Sequence, residues 1–271
     1  MKRTICIALL LLCCFGGGCA AWREGQSRVT EKPFHLYLLA GQSNMAGRGV
    51  PGEEDKTAHR RVLVLNQEGQ WVPAVDPLHF DKPNIVGVGP GLAFAKAMAD
   101  ANEDVTIGLV PCAVGGSPIS VWRPGAFYKA TGAHPYDDAL ERCRVAMQRG
   151  VFKGVLWHQG ESDSNATDGP LYAERLTELI ARLRRELDQP GLLFVAGTPA
   201  DAFVERTPDV HLVIDGIKAV AEADANVLWV SGAGLGCKAD RVHFDTAGAR
   251  ELGRRYAQAV MTKQNVETAK P

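Results

Sequence analysis

Short apolar segments alternate along the chain with longer segments in which apolar residues recur every three or four positions. The short segments have the length of buried strands, and the longer ones have the periodicity of amphipathic helices. The predicted strands are residues 34–39, 104–111, 151–157, 191–196 and 227–230. The predicted helices are residues 92–102, 136–149, 170–187, 215–225 and 246–261. This alternation predicts an α/β domain with a doubly wound, mainly parallel sheet of five strands.

A further pair of short apolar segments lies between the first two predicted strands. Residues 61–66 and 70–72 flank Glu68 and Gly69. A glycine in a short polar loop between two apolar segments favours a tight turn. We therefore expect a small hairpin or a pair of edge strands there.

The composition fits one folded domain. The chain has 271 residues, of which 46% are hydrophobic, so it can bury one substantial core but has no room for a second catalytic domain. Its 30 basic and 31 acidic residues give a formal net charge of −1, with no long block of either sign. A nucleic-acid partner is therefore unsupported, because binding of that kind needs a basic face.

The N-terminus has the layout of a secretory signal peptide over residues 1–20. Lys2 and Arg3 precede the apolar stretch Ile5–Phe15, which is too short to cross a bilayer, and small residues follow. Cleavage after Ala20 is one interpretation. The other is cleavage before Cys19 with lipid attached to that residue, as in a bacterial lipobox, although Gly16 stands where such boxes usually carry Leu.

Both interpretations predict a secreted or periplasmic protein without a transmembrane span, and the second adds a lipid anchor at Cys19. We expect a tether over residues 21–33, a folded domain over residues 34–263 and a tail over residues 264–271. Of the seven cysteines, only Cys112, Cys143 and Cys237 follow the leader. Neither their number nor their spacing indicates a disulfide scaffold or a zinc site, although one bridge could form.

The first predicted strand ends in the sequence AGQSNMAG, residues 40–47. Gly41 allows a sharp turn, so Ser43 lies at the carboxyl end of a strand, where open α/β sheets bind ligands. Residues 44–46 can begin a helix whose first amides point toward an anion. Taken alone, the same residues also fit an ordinary turn capped by serine.

Two later strands also end in unusual sequences. Gly115 and Gly116 follow the strand over residues 104–111, where they either let a backbone N–H approach a substrate or form a tight turn. The strand over residues 151–157 continues into HQGESD, residues 158–163, which has more hydrogen-bonding groups than a turn requires. Because crossovers are right-handed, we expect these ends to meet Ser43 at one edge of the sheet.

A serine hydroxyl needs a base to become a nucleophile, usually a histidine held by a carboxylate. Asp240 and His243 provide this pair on a loop before the last predicted helix. The spacing lets Asp240 fold back onto one ring nitrogen of His243 while the other nitrogen faces Ser43. We therefore predict Ser43, Asp240 and His243 as the catalytic residues.

Other acidic residues and histidines have simpler interpretations. Glu161 and Asp163 lie within one short loop, so they are poorly placed to act as the paired carboxylates of a glycosidase. Together with His158 they could hold a metal, but no ligand spacing recurs elsewhere, and we expect no metal. We interpret them as hydrogen-bonding residues that shape the site. The loop carrying Trp122 and Phe127 forms either a platform for a sugar ring or a packed flap.

Four motifs in order, namely GQSNM, the glycine pair, WHQGESD and DxxHF, resemble the SGNH-type esterases. Within them they are similar to the sialate O-acetylesterase-like group, which includes the acetylxylan esterases of carbohydrate esterase family 6. The resemblance spans Leu36 to about Met261. It implies a three-layer α/β/α, flavodoxin-like fold and a serine esterase that removes acetyl groups from carbohydrates, with no metal or organic cofactor.

The resemblance also implies roles for single residues. Ser43 becomes the nucleophile, His243 the general base and acid, and Asp240 the residue that orients His243. The oxyanion hole would consist of the backbone N–H groups of Ser43 and Gly115 and the side chain of Gln159.

The chain departs from the plainer members of the superfamily at two places. It has Gln42 where they carry aspartate, and it lacks their GxND block, so Gln159 would replace that asparagine. Gln42, Asn44 and Glu161 are then expected to shape the site.

The sequence is also compatible with two other functions. One is a catalytically inactive carbohydrate-binding protein on the same fold. The other is an SGNH lipase or a thioesterase-like enzyme, which would need an apolar groove near Ser43. The sequence leaves xylan, sialic acid and other acetylated glycans open as substrates.

Overall fold

Seven strands form one sheet in the computed structural model, which describes residues 32–268. The strands are β1 (Phe34–Gly41), β2 (Val62–Leu65), β3 (Trp71–Pro73), β4 (Thr106–Pro111), β5 (Val151–His158), β6 (Phe194–Ala200) and β7 (Val227–Gly232). They lie in the order β3-β2-β4-β1-β5-β6-β7, and every neighbouring pair is parallel except β2 and β3. The mainly parallel, doubly wound sheet is confirmed, but the predicted count of five strands is corrected to seven.

The two additional strands are those of the predicted hairpin. β2 pairs in parallel with β4, from Val62 opposite Ile107 to Val64 opposite Leu109. β3 then pairs antiparallel with β2 and forms the outer edge. The hairpin turn is a local property that the sequence predicts. The strand that the hairpin joins depends on a long-range pairing, which the local pattern does not contain.

The described residues form seven α-helices. They are α1 (Ser43–Ala46), α2 (Pro90–Ala101), α3 (Pro135–Met147), α4 (Tyr172–Glu186), α5 (Asp201–Val204), α6 (Val210–Ala223) and α7 (Thr246–Thr268). Pro90 and Pro135 begin α2 and α3, where a missing backbone N–H breaks no helical hydrogen bond.

The helices cover both faces of the sheet. Along β1, Leu36 and Leu38 belong to the core packed by α3, α4 and α6, whereas Tyr37 and Leu39 belong to the core packed by α2 and α7. Successive side chains of a strand point to opposite faces, so one strand supplies both cores. Strands covered on both faces are apolar throughout. The three-layer α/β/α architecture implied by the resemblance is therefore confirmed.

Two helices are longer than predicted. α6 begins at Val210 rather than at residue 215, and α7 continues to Thr268, so residues 264–268 of the expected tail are helical. Neither residues 210–214 nor residues 262–268 contain Gly or Pro, which would mark a helix end.

Several predictions about the chain termini lie outside the described residues. These are the signal peptide over residues 1–20, the lipid-anchor site at Cys19 and the tether up to residue 31. Between residues 32 and 268, no helix combines the length and the apolar character needed to span a bilayer.

The carboxyl ends of β1 and β5 are hydrogen-bonded to each other next to Ser43. Gly41 lies opposite His158 in the sheet, and the Gln42 N–H donates a 2.8 Å hydrogen bond to the His158 carbonyl oxygen. Gly41 has a φ of 122°, and a Cβ at this position would lie 2.2 Å from the His158 carbonyl oxygen. Only glycine therefore allows β1 to turn into α1 against β5.

Asp76 is a buried carboxyl group beside α2, with 5% of the residue exposed. Burial, together with the nearby charge of Asp55, raises the pKa of Asp76 to about 8. An aspartate in an unfolded chain has a pKa of about 4. Between these two values the folded protein holds a proton that the unfolded chain releases, so Asp76 makes the fold less stable as the pH rises from about 4 to about 8.

The first prediction concerns Gly41→Ala, which should reduce stability because the new Cβ meets backbone that cannot move away. We expect a loss at least about 2 kcal/mol larger than that of a glycine substitution without a clash. Gly132→Ala is the matched control, since Gly132 also has a positive φ, of 67°, but a Cβ there meets no atom within 4 Å. Urea unfolding measures both losses, and equal losses would contradict the steric argument.

The second prediction concerns Asp76→Asn. The amide cannot ionise, so the variant should gain stability relative to the wild type as the pH rises from about 5 to about 8, and the two proteins should differ least near pH 4. Denaturant unfolding at several pH values measures the difference. Parallel stability curves for the two proteins would show that Asp76 titrates normally.

Candidate active site

Ser43 is the first residue of α1, directly after the turn at the end of β1, and it is almost fully buried. Its Oγ lies 2.9 Å from Nε2 of His243. Nδ1 of the same ring lies 2.8 Å from Oδ2 of Asp240. The structure thus brings the three predicted catalytic residues into one line of hydrogen bonds, although Ser43 and His243 are 200 positions apart in the chain.

Asp240 is held by the backbone as well as by the ring. Its Oδ1 accepts hydrogen bonds from the N–H groups of Val242 and His243, both at 2.9 Å. Partial burial alone would raise the pKa of Asp240, but the hydrogen bonds from the His243 backbone and ring and from Val242 outweigh it and lower the pKa to about 2. A carboxylate that stays ionised fixes the ring of His243 with its Nδ1 proton toward Asp240, which leaves Nε2 free to accept the proton of Ser43.

His243 lies on a turned-back loop between β7 and α7. The loop is closed by a backbone hydrogen bond from the Lys238 N–H to the His243 carbonyl oxygen, at 2.8 Å. Side chains also connect it to the rest of the protein. Lys238 Nζ donates to the Arg48 carbonyl oxygen at 2.9 Å, and Arg206 Nη1 donates to the Asp240 carbonyl oxygen at 2.8 Å.

The three predicted oxyanion donors are in different situations. Within residues 32–268, the Ser43 N–H has no hydrogen-bond partner. The Gly115 N–H donates to Asp81 Oδ2 at 2.7 Å. Gln159 is fully buried, and its Nε2 lies within hydrogen-bond distance of Gln42 Oε1, the Ser117 carbonyl oxygen and Asp163 Oδ2.

The engagement of Gly115 and Gln159 bears directly on their predicted role. Each would have to exchange its present partner for the oxyanion when a substrate binds. Their assignment to the oxyanion hole therefore stays a prediction.

The residues expected to shape the site form a buried network beside Ser43. Asn44 Nδ2 donates to Glu161 Oε1, and His158 Nε2 lies 3.6 Å from the same oxygen. Burial alone would raise the pKa of Glu161, but its interaction with His158 and the hydrogen bond from Asn44 outweigh burial, and the pKa lies below its usual value. Gln42 contributes the acceptor for Gln159.

Sequence reasoning missed an ion pair next to Gly115. Arg48 Nη2 and Asp81 Oδ2 are 3.2 Å apart, and each side chain is only 4% exposed. Both lie so close to Gly115 that a Cβ added there would overlap them. It also missed Tyr128 and Ser162, whose hydroxyls donate to the Gly116 carbonyl oxygen at 2.8 and 3.0 Å. Arg48 follows the nucleophile turn closely enough to have been considered, but Asp81 lies in an aperiodic loop that carries no signal.

The structure also decides between the two interpretations of the aromatic loop for Trp122. This residue is buried, packs edge-on against Trp157 at 5.1 Å between ring centroids, and donates its indole N–H to Ser117 Oγ at 3.0 Å. It is part of a packed flap. Phe127 on the same loop is 54% exposed.

Cys112, Cys143 and Cys237 form no bridge with one another, since all three are free thiols. Burial raises the pKa of Cys112 to about 12, so this thiol is unreactive at neutral pH. Residues 32–268 contain no group of three or more His, Cys, Asp or Glu side chains suited to a metal ion.

Comparison with known proteins agrees with the chemistry that the arrangement of Ser43, His243 and Asp240 indicates. Residues 33–262 match the family model described as carbohydrate esterase, sialic acid-specific acetylesterase. A probable carbohydrate esterase of Arabidopsis thaliana is 33% identical over 252 residues, which cover 85% of this chain and 91% of that protein. The X-ray structure of that Arabidopsis protein superposes with a TM-score of 0.76 at 31% identity, over 85% of this chain and 98% of that chain.

Two further relatives extend the comparison. Human sialate O-acetylesterase is 28% identical over 169 residues, which cover 48% of this chain and 31% of that protein. The crystal structure of NanS has the same fold, with a TM-score of 0.69 at 19% identity, over 88% of this chain and 99% of that chain.

The family model covers almost the entire described domain, and its match includes Ser43, Asp240 and His243 within its limits. The resemblance found in the sequence motifs is therefore confirmed. This chain belongs to the carbohydrate esterase family of sialic acid-specific acetylesterases, and it is a carboxylic ester hydrolase.

Proposed function

We propose that this carbohydrate esterase removes O-acetyl groups from glycans through an acyl-enzyme intermediate on Ser43. The observation that carries the proposal is the line of hydrogen bonds from Ser43 Oγ to His243 Nε2, at 2.9 Å, and from His243 Nδ1 to Asp240 Oδ2, at 2.8 Å. This arrangement supplies a nucleophile, a base and a group that orients the base, which are the parts that serine acyl transfer requires.

In the first half of the reaction, Ser43 Oγ attacks the acetyl carbonyl carbon while His243 Nε2 takes the hydroxyl proton. The carbonyl oxygen becomes an oxyanion, which the Ser43 N–H, a group without a hydrogen-bond partner within residues 32–268, would stabilise. Gly115 and Gln159 supply further donors once they exchange partners. A single donor of this kind contributes about 10²- to 10³-fold to the rate in serine hydrolases.

The first half ends when the carbon–oxygen bond to the sugar breaks and His243 gives its proton to the leaving sugar alcohol. The second half is the hydrolysis of the acetyl-Ser43 ester that remains. Water then attacks the acetyl-Ser43 ester with His243 again as base, and acetate leaves as Ser43 regains its proton. Asp240 stays ionised throughout, because its pKa is about 2. It stabilises the imidazolium form of His243 in both halves without taking a proton itself.

Acetylated glycans are the substrates that we propose, with O-acetyl sialic acid and acetylxylan as the two named candidates. The family description and the human relative, a sialate O-acetylesterase, support the first. The motif resemblance to acetylxylan esterases supports the second. A secreted or periplasmic location, with a lipid anchor at Cys19 as a variant, would bring the enzyme to such glycans outside the cell.

The two alternative functions receive less support. An inactive carbohydrate-binding protein has no need for a serine, a histidine and an ionised aspartate aligned at hydrogen-bond distance. A lipase-like enzyme would need an apolar groove at the nucleophile. A largely apolar groove of about 730 Å³ is present, but it lies along β7 and α7 and does not include Ser43.

The third prediction is that Ser43→Ala abolishes acetate release, because no other group in the line can form the acyl-enzyme. The rate should fall by at least about 10³-fold on every substrate of a panel made of acetylxylan, O-acetyl sialic acid and p-nitrophenyl acetate. Ser120→Ala, whose hydroxyl makes no hydrogen bond to His243, should retain the wild-type rate. Equal release by the wild type and Ser43→Ala would refute the nucleophile. Release from long acyl esters but not from acetylated sugars would favour the lipase-like alternative.

The fourth prediction concerns Asp240→Asn. The amide has nearly the same shape but no charge, so it no longer stabilises the imidazolium form of His243. We expect kcat to fall by about 10³- to 10⁴-fold with a small change in KM. The control is Asp104→Asn, which removes an exposed carboxylate just before β4 at the opposite edge of the sheet. A rise in KM alone, with kcat unchanged, would mean that Asp240 contacts the substrate rather than the base.

A further inference from the structure

Asn44, the residue after the nucleophile, contacts the backbone on both sides of His243. Its Nδ2 donates to the Val242 carbonyl oxygen at 3.0 Å, and its Oδ1 accepts the Phe244 N–H at 3.0 Å. The same Nδ2 donates its second hydrogen to Glu161 Oε1. Asn44 is 3% exposed, so these three bonds are shielded from water.

The three partners determine which way the amide points. Two of them, the Val242 carbonyl and the Glu161 carboxylate, can only accept, and the third, the Phe244 N–H, can only donate. An asparagine amide has two donor hydrogens and one acceptor oxygen, so it satisfies all three at once. Aspartate has the same shape but no hydrogens, and alanine has no polar group.

Glu161, which accepts a hydrogen bond from Asn44, is itself buried beside His158. The side chain of Glu161 is 3% exposed, and His158, which is completely buried at the end of β5, lies 3.6 Å from the oxygen that accepts from Asn44. Glu161 lies three residues after the end of β5, so Asn44 is held against the segment that follows this strand. Through Asn44, the peptide groups on both sides of His243 are tied to the end of β5.

The other contacts of the His243 loop act further from the ring. Arg206 reaches the carbonyl of Asp240, and Arg241 pairs with Glu205 at 2.7 Å with both side chains more than half exposed. Exposed pairs of this kind contribute little to holding a loop. Asn44 is the contact of this loop that is buried, has all its hydrogen bonds satisfied and touches the residues immediately before and after the base.

We propose that Asn44 is a positioning residue for the base, holding the Val242–Phe244 backbone so that His243 Nε2 stays at hydrogen-bond distance from Ser43. The inference rests on the proposed function of Ser43 and His243 and adds to it a residue that touches neither the substrate nor the reacting atoms. Its effect must therefore pass through His243.

The test measures how fast Ser43 reacts with a fluorophosphonate, which needs no knowledge of the natural glycan. In this reaction Ser43 Oγ forms a bond to phosphorus, fluoride leaves and His243 accepts the hydroxyl proton. Mass spectrometry follows the rate for the wild type, Asn44→Asp and Asn44→Ala, each also in a His243→Ala background. Ser43→Ala provides the blank. Asn66→Asp, an identical chemical change in the hairpin turn between β2 and β3, is the matched control.

We expect Asn44→Asp and Asn44→Ala to slow the reaction by about 100-fold, the scale of a misplaced catalytic group, while Asn66→Asp reacts like the wild type. In the His243→Ala background the same substitutions should change the residual rate by less than about twofold, because the group that Asn44 positions is absent. Near-ultraviolet circular dichroism checks that each variant is folded. Asn44→Ala serves if the added charge of aspartate next to Glu161 prevents folding.

Two results would overturn the inference alone. One is a wild-type rate in both Asn44 variants. The other is an equal slowing with and without His243, which would mean that Asn44 acts on Ser43 or on the fold. A wild type that does not react at Ser43 at all would instead overturn the proposed function, and the inference with it.

Discussion

The site depends on the join between β1 and β5. At Gly41 the two strands approach so closely that a side chain would overlap the His158 carbonyl oxygen, and the Gln42 N–H closes the join with a hydrogen bond to that oxygen. Ser43 follows at once as the first residue of α1. The loop after β5, which carries Gln159 and Glu161, therefore begins directly beside the turn that carries Ser43. A strand pairing thus sets both the position of the hydroxyl and that of its polar neighbours.

His243, the proposed base, lies 200 positions after Ser43 in the chain, so other contacts must set its position relative to Ser43. The loop before α7 has its own short-range hydrogen bonds, in which Asp240 accepts from the ring and from two backbone N–H groups. These bonds fix the ring relative to its own loop but not relative to Ser43. The position of the loop relative to Ser43 is set by hydrogen bonds between residues distant in sequence, among them those of Asn44 and of Lys238. The line of hydrogen bonds from Ser43 to Asp240 is therefore assembled from the end of one strand and a loop that is hydrogen-bonded onto it.

Those features of the fold and site that have local causes could be read from the sequence. The strand and helix periods predicted the layers. Gly41 and the apolar segment before it predicted the turn that carries Ser43, and the spacing of Asp240 and His243 predicted that the carboxylate folds back onto the ring. Features that depend on pairing between distant segments could not be derived in the same way. The hairpin of β2 and β3 has a local turn signal, but it extends the sheet through a long-range strand pairing. The loop around Asp81 has no pattern that predicts the hydrogen bond between its carboxylate and the Gly115 N–H.

Gly115 and Gln159, the two proposed oxyanion donors that already have hydrogen-bond partners, differ in what an exchange of partners would cost. Gly115 donates to an ionisable carboxylate at 2.7 Å, and Arg48 holds that carboxylate in place, so the bond is short and charge-assisted. Gln159 Nε2 has two hydrogens for three acceptors. Its contact with Asp163 is the closest, whereas Gln42 and Ser117 both lie at 3.2 Å and compete for the remaining hydrogen.

An oxyanion is a stronger acceptor than either a neutral amide oxygen or a peptide carbonyl. It could therefore draw the second hydrogen of Gln159 while the bond to Asp163 stays intact, and Asp163 would keep its other hydrogen bond from the Ile119 N–H at 2.9 Å. Gly115 has only one hydrogen to give, and releasing it would leave the buried Asp81 carboxylate with one partner fewer. Of the two proposed donors, Gln159 would therefore exchange partners at the lower cost.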